Sequence, residues 1–416
     1  MVTDAEPDSE NTPGLEDPPG VGLRGAYGWF AAGVAAWFLA TGIHQVILSW
    51  LLVGELGVGA QGVGTVQMLG TLPILCFLLI AGATADRRDR RRLLMGLHVL
   101  AATLSTTLAI CVGAGLLSMA LLIAYVIGWG TVQAFTQPTR DALISDLARE
   151  NLLRGVAGMT LTQFIAMALG ARAAGFGEWF GNPALIGLQA ALLLLGLIPL
   201  ARLPRMPSAA VHRSAPLSVA ELRAGFGEVA RTPGLLSVTL LVAANGLFFN
   251  GPFLVLCPVI IRDIYDGSLR DLSLVMMALP LGTIAGSAAV LLRGRMRRKG
   301  RVFLAALLTV ACCLLALYSK PPLFVFVGII FVWGVGHSLF FNTSRTLFQE
   351  AAPDTHRARV LAVHPLAFLG MSPISTLAAG LLGSRFGLLE TCAVSGASMV
   401  VITALAWRFT RIGRMR

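Results

Sequence analysis

The chain has 416 residues, of which 56% are apolar and 13% charged, and its mean hydropathy is +0.77. So much apolar surface excludes a soluble globular domain and a disordered chain, because only lipid can solvate it. A formal net charge of +11 is also typical of nucleic-acid-binding proteins. The basic residues, however, lie in short loops between apolar runs and form no single basic face, so we expect no nucleic-acid partner. The composition therefore predicts an integral membrane protein.

Residues 1–24 are rich in acids and prolines, which predicts a disordered cytoplasmic tail and not a secretory signal. Apolar runs of about twenty residues follow, each long enough to cross ~30 Å of hydrocarbon. Six lie in an N-terminal bundle (25–202) and six in a C-terminal bundle (233–408), with a cytoplasmic linker (203–232) between them and a basic tail (409–416) after them. The predicted spans are residues 27–53, 61–84, 93–114, 117–139, 153–178, 183–202, 234–261, 272–292, 302–319, 322–347, 359–383 and 387–408.

Within the linker, Ser218 and Glu221 have the spacing of a capping box, which predicts a short surface helix that ends near Arg231. A partly ordered loop is the alternative, because short isolated helices are marginally stable.

The positions of the basic residues predict the orientation of the chain. If both termini lie on the same side of the membrane, 27 of the 32 lysines and arginines lie on that side too. That side is the cytoplasm, because short loops rich in basic residues resist translocation. Both termini are therefore expected in the cytoplasm. The chain has many arginines and few lysines, which is typical of a GC-rich bacterial source, so the expected membrane is a bacterial inner membrane. The five exceptions are Arg172, Arg262, Arg270, Lys320 and Arg385.

The two halves also resemble each other. When the segment after Gly128 is aligned with the segment after Gly334, Arg140 falls beside Arg345 and Asp146 beside Glu350. Internal repeats are typical of secondary transporters with two lobes. The fold class that we predict is an all-α membrane protein with twelve transmembrane helices in two pseudo-symmetric bundles of six.

The loop after the second span carries a recognisable motif. Gly82, Asp86, Arg87, Arg90 and Arg91 match the pattern G-x-x-x-D-R-x-G-R-R, and together with the twelve spans they make the chain resemble the major facilitator superfamily. The form AxADRRDRRRLL and the phrase RTPGLL before the seventh span resemble its third drug:proton antiporter group, which includes macrolide-efflux and enterobactin-exporter-like proteins. The chain departs from the pattern at Asp89, which replaces the second glycine.

That resemblance implies proton-coupled export of amphipathic small molecules by alternating access, with the motif loop acting as a latch between the halves. Asp86 at a membrane edge needs a cationic partner or a helix N-terminus, and the resemblance places that partner at the start of the eleventh span, near residues 354–359. Arg88 and Arg92 are instead expected to fix topology and to meet anionic lipid head groups. The predicted latch residues are Gly82, Asp86, Arg87, Arg90, Arg91, Arg140 and Arg345.

Polar residues at membrane depth are costly and usually face a cavity or another helix. The candidate cavity residues are His44, Gln45, Gln133, Gln137, Arg172, Asn245, Asn250, His337 and Asn342. No acid lies in the middle of a predicted span, so His337 and His44 are the candidates for proton coupling. Alternatively, each histidine only bonds a neighbouring helix. Arg172 either holds an anionic substrate or pairs with Glu178.

Small residues and prolines mark expected hinges or close helix contacts, at Gly170, Gly175, Gly370, Pro373 and Gly380. Cysteine and histidine spacing predicts no metal site and no cofactor. We expect a monomer with a small-molecule substrate, protons and anionic lipid as partners. The alternatives are a dedicated siderophore or natural-product exporter and, from another class, a membrane-embedded enzyme or lipid-handling protein. An enzyme would need a clustered catalytic constellation, and the sequence shows none.

Overall fold

The computed structural model describes residues 23–147, 152–204, 219–293, 298–352, 357–410 and 412–414, and these segments are almost wholly helical. Twelve helices are long and apolar enough to cross a membrane, which confirms the predicted fold class. Spans 1 to 6 are Gly25–Glu55, Ala60–Arg87, Arg90–Gly113, Met119–Leu147, Gly155–Phe180 and Asn182–Ala201. Spans 7 to 12 are Gly234–Asp263, Leu269–Leu292, Lys299–Leu317, Leu323–Ala351, Arg359–Phe386 and Leu388–Phe409.

The predicted linker helix is confirmed at Val219–Arg231. It packs against the start of span 11, where Arg359 Nη2 donates to Glu221 Oε1 at 3.4 Å. A Cβ on Gly225 would lie 2.6 Å from the Arg359 carbonyl oxygen, so the two backbones touch. The linker helix is therefore attached to the C-terminal lobe, whereas Ser218 lies outside the described residues.

The same helix pairs form in each lobe. Spans 2 and 4 meet at glycines, since a Cβ on Gly130 would lie 2.0 Å from the carbonyl oxygen of Gly70. Spans 8 and 10 meet likewise, with the Gly282 Cα 3.0 Å from a Cβ placed on Gly334. Without a hydrophobic force between helices in lipid, such close backbone contact holds the pairs together. The repeated contact agrees with the internal repeat read from the sequence.

Each lobe also carries a matching ion pair. Arg90 at the start of span 3 bonds Asp146 near the end of span 4. Lys299 at the start of span 9 bonds Glu350 near the end of span 10. The predicted alignment of Asp146 with Glu350 is therefore confirmed by equivalent geometry.

In the described residues, the two lobes contact each other extensively toward one end of the bundle. We call this the far end, which holds the short connections 56–59, 114–118, 264–268 and 318–322; the opposite, basic end holds the loop 86–92 and the linker helix. A Cβ on Gly64 would lie 2.5 Å from the Thr376 carbonyl oxygen and 3.0 Å from the Gly380 Cα. On the other side of the bundle, a Cβ on Gly175 would lie 2.3 Å from Ser273 Oγ.

Polar contacts also join the lobes at the far end. Arg262 Nη1 of span 7 donates to the carbonyl oxygens of Val53 at 2.5 Å and Val58 at 3.1 Å. The Glu178 carboxylate accepts the backbone N–H of Arg270 at the start of span 8, at 2.8 Å. Among the described residues, the basic half of span 11 packs within its own lobe, against the linker helix and spans 7 and 10. The extensive contacts between the described parts of the two lobes join span 2 with span 11 and span 5 with span 8. The far end is therefore closed.

We expect Gly64→Ala to disfavour this closed far end. The added methyl group meets backbone atoms of span 11, which cannot move aside as a flexible side chain would, and such overpacking costs ~1–3 kcal/mol. Double electron–electron resonance between spin labels in loops 114–118 and 318–322, in a variant without native cysteines, should show a longer mean distance. Gly328→Ala is the control, because no atom lies within 4 Å of a Cβ there. Unchanged distances in Gly64→Ala would contradict the backbone contact.

The two ion pairs should differ in their effect on stability. The side chains of Arg90 and Asp146 are 18% and 19% exposed, whereas those of Lys299 and Glu350 are 22% and 48% exposed. Arg90 also donates to the Ala85 carbonyl at 3.3 Å. We expect Arg90→Gln to cost ~1.5–3 kcal/mol and Lys299→Gln ~0.2–1 kcal/mol. Apparent melting temperatures in detergent measure this order, and a larger loss for Lys299→Gln would contradict it.

Candidate functional site

Polar side chains line one face of span 4 and lead toward the basic end. Gln133, Gln137 and Asp141 are spaced by four residues, so they share a face of the helix. Gln133 is half-buried, and Gln137 and Asp141 are exposed. On span 10, Asn342 and Arg345 are exposed in the same way, although Asn342 Nδ2 also donates to the Ser338 carbonyl of its own helix at 2.9 Å. Exposure that grows toward the basic end is what a cavity open at that end produces.

A charged cluster lies on this face. Arg140 Nε is 3.8 Å from Asp141 Oδ1, and the two side chains are 12% and 59% exposed. The Arg140 guanidinium lies over the ring of Phe38 in span 1, 4.7 Å from its centroid. Asp141 also interacts electrostatically with Arg345 of the other lobe. Arg140 and Arg345, which the sequence assigned to the latch, thus both act electrostatically on the Asp141 carboxylate.

Asp141 is the residue that the sequence analysis missed. Span 4 was expected to end at residue 139, which put Asp141 in a loop, but the helix continues through Pro138 to Leu147. The predicted end of span 4 was therefore too early, and Asp141 lies inside the helix near its basic end, while the prediction that no acid lies in the middle of a span is not contradicted. The four-residue spacing from Gln133 through Gln137 was the signal that could have revealed Asp141.

His44 belongs to a buried network inside the N-terminal lobe. Its Nδ1 is hydrogen-bonded to Tyr125 Oη at 2.9 Å, and its ring stacks on Trp129 with centroids 4.2 Å apart. Gln189 Nε2 donates to Tyr125 Oη at 3.0 Å and to Ser105 Oγ at 2.9 Å. This network joins spans 1, 3, 4 and 6. Gln189 of span 6 is 1% exposed and points inward.

His337 is surrounded by aromatic rings and not by polar partners. Its ring stacks on Phe249 of span 7, with centroids 4.7 Å apart, and lies 4.7 Å from the Phe341 ring. Among the described residues, neither its buried Nδ1 nor either amide atom of Asn245, which is 1% exposed, has a hydrogen-bond partner. Asn250 of span 7 and Gln45 of span 1 are half-buried. The C-terminal wall therefore holds polar atoms whose hydrogen-bonding capacity is unused.

Arg172 does not pair with Glu178. Glu178 instead accepts the backbone N–H of Arg270, while the Arg172 guanidinium lies 5.1 Å from the centroid of Phe176 and its Nη1 has no partner among the described residues. Helical spacing puts Arg172 on the face of span 5 that carries exposed Leu161 and Leu169. The predicted structural tie was wrong because Glu178 points across the lobe interface to span 8.

Two arginines of the motif loop are bonded within the N-terminal lobe. Arg90 joins Asp146, and Arg91 donates to the carbonyl oxygens of Leu203 and Ala201 after span 6. Asp86 Oδ1 lies 3.8 Å from Arg90 Nη2 and its side chain is 60% exposed. Arg87 is exposed and Gly82 is half-buried. The partner expected for Asp86 near residues 354–359 lies partly outside the described residues, so a contact between lobes stays a prediction.

The small-residue candidates fall into two groups. Gly170 and Gly175 lie at close contacts, the first against the Leu39 carbonyl of span 1 and the second against span 8, and Gly380 lies at the contact with span 2. Gly370 and Pro373 mark a break in span 11, between helical segments Arg357–Leu369 and Ser372–Phe386.

Among the described residues, no group of three or more His, Cys, Asp or Glu side chains could hold a metal ion.

Comparison with known proteins places this arrangement in a family. Residues 26–415 match the family described as "Transmembrane secretion effector". Macrolide efflux protein A of Streptococcus pyogenes is 22% identical, over 92% of this chain and 96% of that protein. Multidrug efflux pump Tap of Mycolicibacterium fortuitum is 27% identical, over 88% and 91%. Staphyloferrin A transporter of Staphylococcus aureus is 24% identical, over 90% and 94%.

Solved structures share the fold at low sequence identity. The nucleoside transporter NupG has a TM-score of 0.73 and 12% identity, with 94% of this chain and 100% of that chain covered. A bacterial homologue of the lysosomal transporter Spinster, inward-facing and unoccupied, has a TM-score of 0.72 and 13% identity, with 94% and 98% covered. The chain therefore belongs to the transmembrane secretion effector family of the major facilitator superfamily, and it is a multi-pass membrane transporter and not an enzyme.

Proposed function

We propose that this transporter exports amphipathic small molecules by alternating access and that proton entry drives the export. The observation that carries this proposal is the combination of a far end closed by backbone contacts with polar faces on spans 4 and 10 that become exposed toward the basic end. A cavity open at one end and closed at the other is one half of an alternating-access cycle. The concentration of arginines at the basic end supports an orientation in which this end faces the cytoplasm. Both termini then lie on the cytoplasmic side of a bacterial inner membrane.

The walls of the cavity support cargo that is largely apolar. Tyr125 and Trp129 contact His44 in the buried part of the N-terminal lobe, and Phe249 and Phe341 enclose His337 in the C-terminal lobe. Amides such as Gln137 and Asn342 supply hydrogen bonds without fixed charge. Aromatic walls with a few polar groups favour drug-like molecules, and relatives that are named macrolide and multidrug efflux proteins support this class of cargo.

Asp141 is our first candidate for the proton-carrying group. A carboxylate that faces the cavity between Arg140 and Arg345 can hold the lobes in one arrangement when ionised and release them when protonated. His337 is second, because its Nδ1 has no hydrogen-bond partner among the described residues. His44 is third, because its Nδ1 is hydrogen-bonded to Tyr125 and its ring stacks on Trp129. Asp86, exposed at the basic end beside Arg90, keeps its proposed role as a latch when that end closes.

A dedicated siderophore exporter is the second candidate function. The relative named staphyloferrin A transporter supports it, and the guanidinium groups of Arg140 and Arg345 could bind a carboxylate-rich cargo in place of Asp141. We further propose that the transporter acts as a monomer whose lipid partners have anionic head groups.

Expression in a drug-sensitised bacterial strain tests the proposed direction and cargo. We expect raised resistance to at least one macrolide or other amphipathic antibiotic, and loss of that resistance when a protonophore collapses the proton gradient. The controls are the same strain without the transporter and the strain that carries Gly328→Ala, because the structure places no atom of the described residues within 4 Å of a Cβ at Gly328. Resistance to no compound, with secretion of a carboxylate-rich siderophore, would favour the second candidate; resistance that survives the protonophore would contradict proton coupling.

Asp141→Asn tests the coupling group. The amide keeps the size of the side chain but cannot bind and release a proton, so we expect cargo transport by this variant to fall to the level measured without a proton gradient. Proteoliposomes loaded with a pH-sensitive dye measure proton movement alongside cargo movement. Asp266→Asn, an exposed acid in the far-end loop, is the control. Full coupling in Asp141→Asn with its loss in His337→Gln would move the role to His337.

A further inference from the structure

A pocket lies outside the central cavity, at the start of span 3. The volume of this pocket is about 450 Å³. The pocket begins at the motif loop and extends along span 3 toward the middle of the membrane, beside apolar residues. The pocket is lined by Arg88, Asp89, Arg92, Leu93, Gly96, Leu97 and Leu100. Its upper part is therefore charged and its lower part apolar.

The charged part has an excess of positive charge. Arg88 is exposed and the side chain of Arg92 is 73% exposed. Asp89 offsets part of this charge, because its carboxylate accepts the Arg92 backbone N–H at 3.1 Å and lies 3.9 Å from Arg92 Nε. Arg90 and Arg91 are bonded within the lobe, so Arg88 and Arg92 are the arginines that line this pocket.

The apolar part is a notch on an exposed face of span 3. No atom lies within 4 Å of a Cβ placed on Gly96, and this residue is exposed. Leu100 is 48% exposed, Val99 46% and Ile110 66%, which is the exposure of residues that meet lipid in a membrane-spanning helix. From Arg92 to Leu100 the helix rises about 12 Å, enough for part of an acyl chain to lie along it.

We propose that this pocket binds one anionic phospholipid. The phosphate contacts Arg88 and Arg92 at the membrane surface, and an acyl chain lies in the notch at Gly96. Charge complementarity selects an anionic head group, since basic residues at a membrane surface attract anionic lipid. The notch selects a lipid over a free phosphate, because a soluble anion makes no use of an apolar groove. This site does not depend on the cargo or on the coupling ion proposed above.

Native mass spectrometry of the full chain in detergent tests the proposal. The probes are phosphatidylglycerol, phosphatidylcholine as a neutral lipid, and glycerol 3-phosphate as a soluble head group. We expect one tightly bound phosphatidylglycerol per chain, with phosphatidylcholine bound more weakly. Equal binding of the two lipids would overturn the proposal.

Two pairs of variants distinguish the contribution of the head-group contacts to lipid binding from that of the acyl-chain contacts. The double variant Arg88→Gln with Arg92→Gln should weaken phosphatidylglycerol binding by about 30-fold, because each arginine near an anionic surface contributes roughly fivefold. The control removes the same charge from exposed basic-end residues, as Arg223→Gln with Arg298→Gln. An equal loss in both double variants would mean diffuse attraction to a basic surface and would overturn the site.

Gly96→Leu fills the notch and leaves every charge in place. We expect it to weaken phosphatidylglycerol binding severalfold and to leave glycerol 3-phosphate binding unchanged. Gly328→Leu is its control, because Gly328 is an exposed glycine of span 10 with equally open space around it. Unchanged phosphatidylglycerol binding in Gly96→Leu would show a site for phosphate alone and would contradict the lipid assignment.

Discussion

Backbone contact between spans 2 and 11, at Gly64 and Gly380, is the interaction on which the arrangement of the two lobes depends. Lipid offers no hydrophobic force to bring helices together, so close packing of small residues must supply the attraction. The contact between Gly175 and Ser273 does the same for spans 5 and 8. Both contacts lie toward the far end, and this position leaves the polar faces of spans 4 and 10 exposed toward the basic end.

Charge is distributed to strengthen each lobe separately. Arg90 and Arg91 of the motif loop bind the ends of spans 4 and 6, and Lys299 binds Glu350 at the equivalent place in the other lobe. Each lobe can therefore move as one body, because its ends are joined by contacts that do not cross the gap. By contrast, Arg262 and Glu178 contact backbone groups of the opposite lobe, and these bonds must break before the far end can open.

The cavity walls combine aromatic rings with few polar partners. On the N-terminal side, His44, Tyr125 and Gln189 satisfy one another, so this wall is a fixed network. On the C-terminal side, His337 Nδ1 and the amide of Asn245 are buried and have no partner in the part of the chain that the structure describes, at a cost that a bound substrate or a water molecule would offset. The two walls thus differ chemically although the lobes share one plan.

The sequence by itself determined the twelve spans, the linker helix, the repeat of Asp146 and Glu350, and the family, because hydropathy and short motifs depend on local residue type. It also identified Gly370 and Pro373 at the break in span 11. Partners between helices far apart in the chain were decided only by tertiary structure. Glu178 bonds span 8 and not Arg172, and Gln189 turns inward to Tyr125. Span 4 continues to Leu147, so that Asp141 lies on this helix beside Arg140. Residue pattern fixes where a helix lies in the chain, but the packing of neighbouring helices decides which of its polar groups are bonded, buried or open to a cavity.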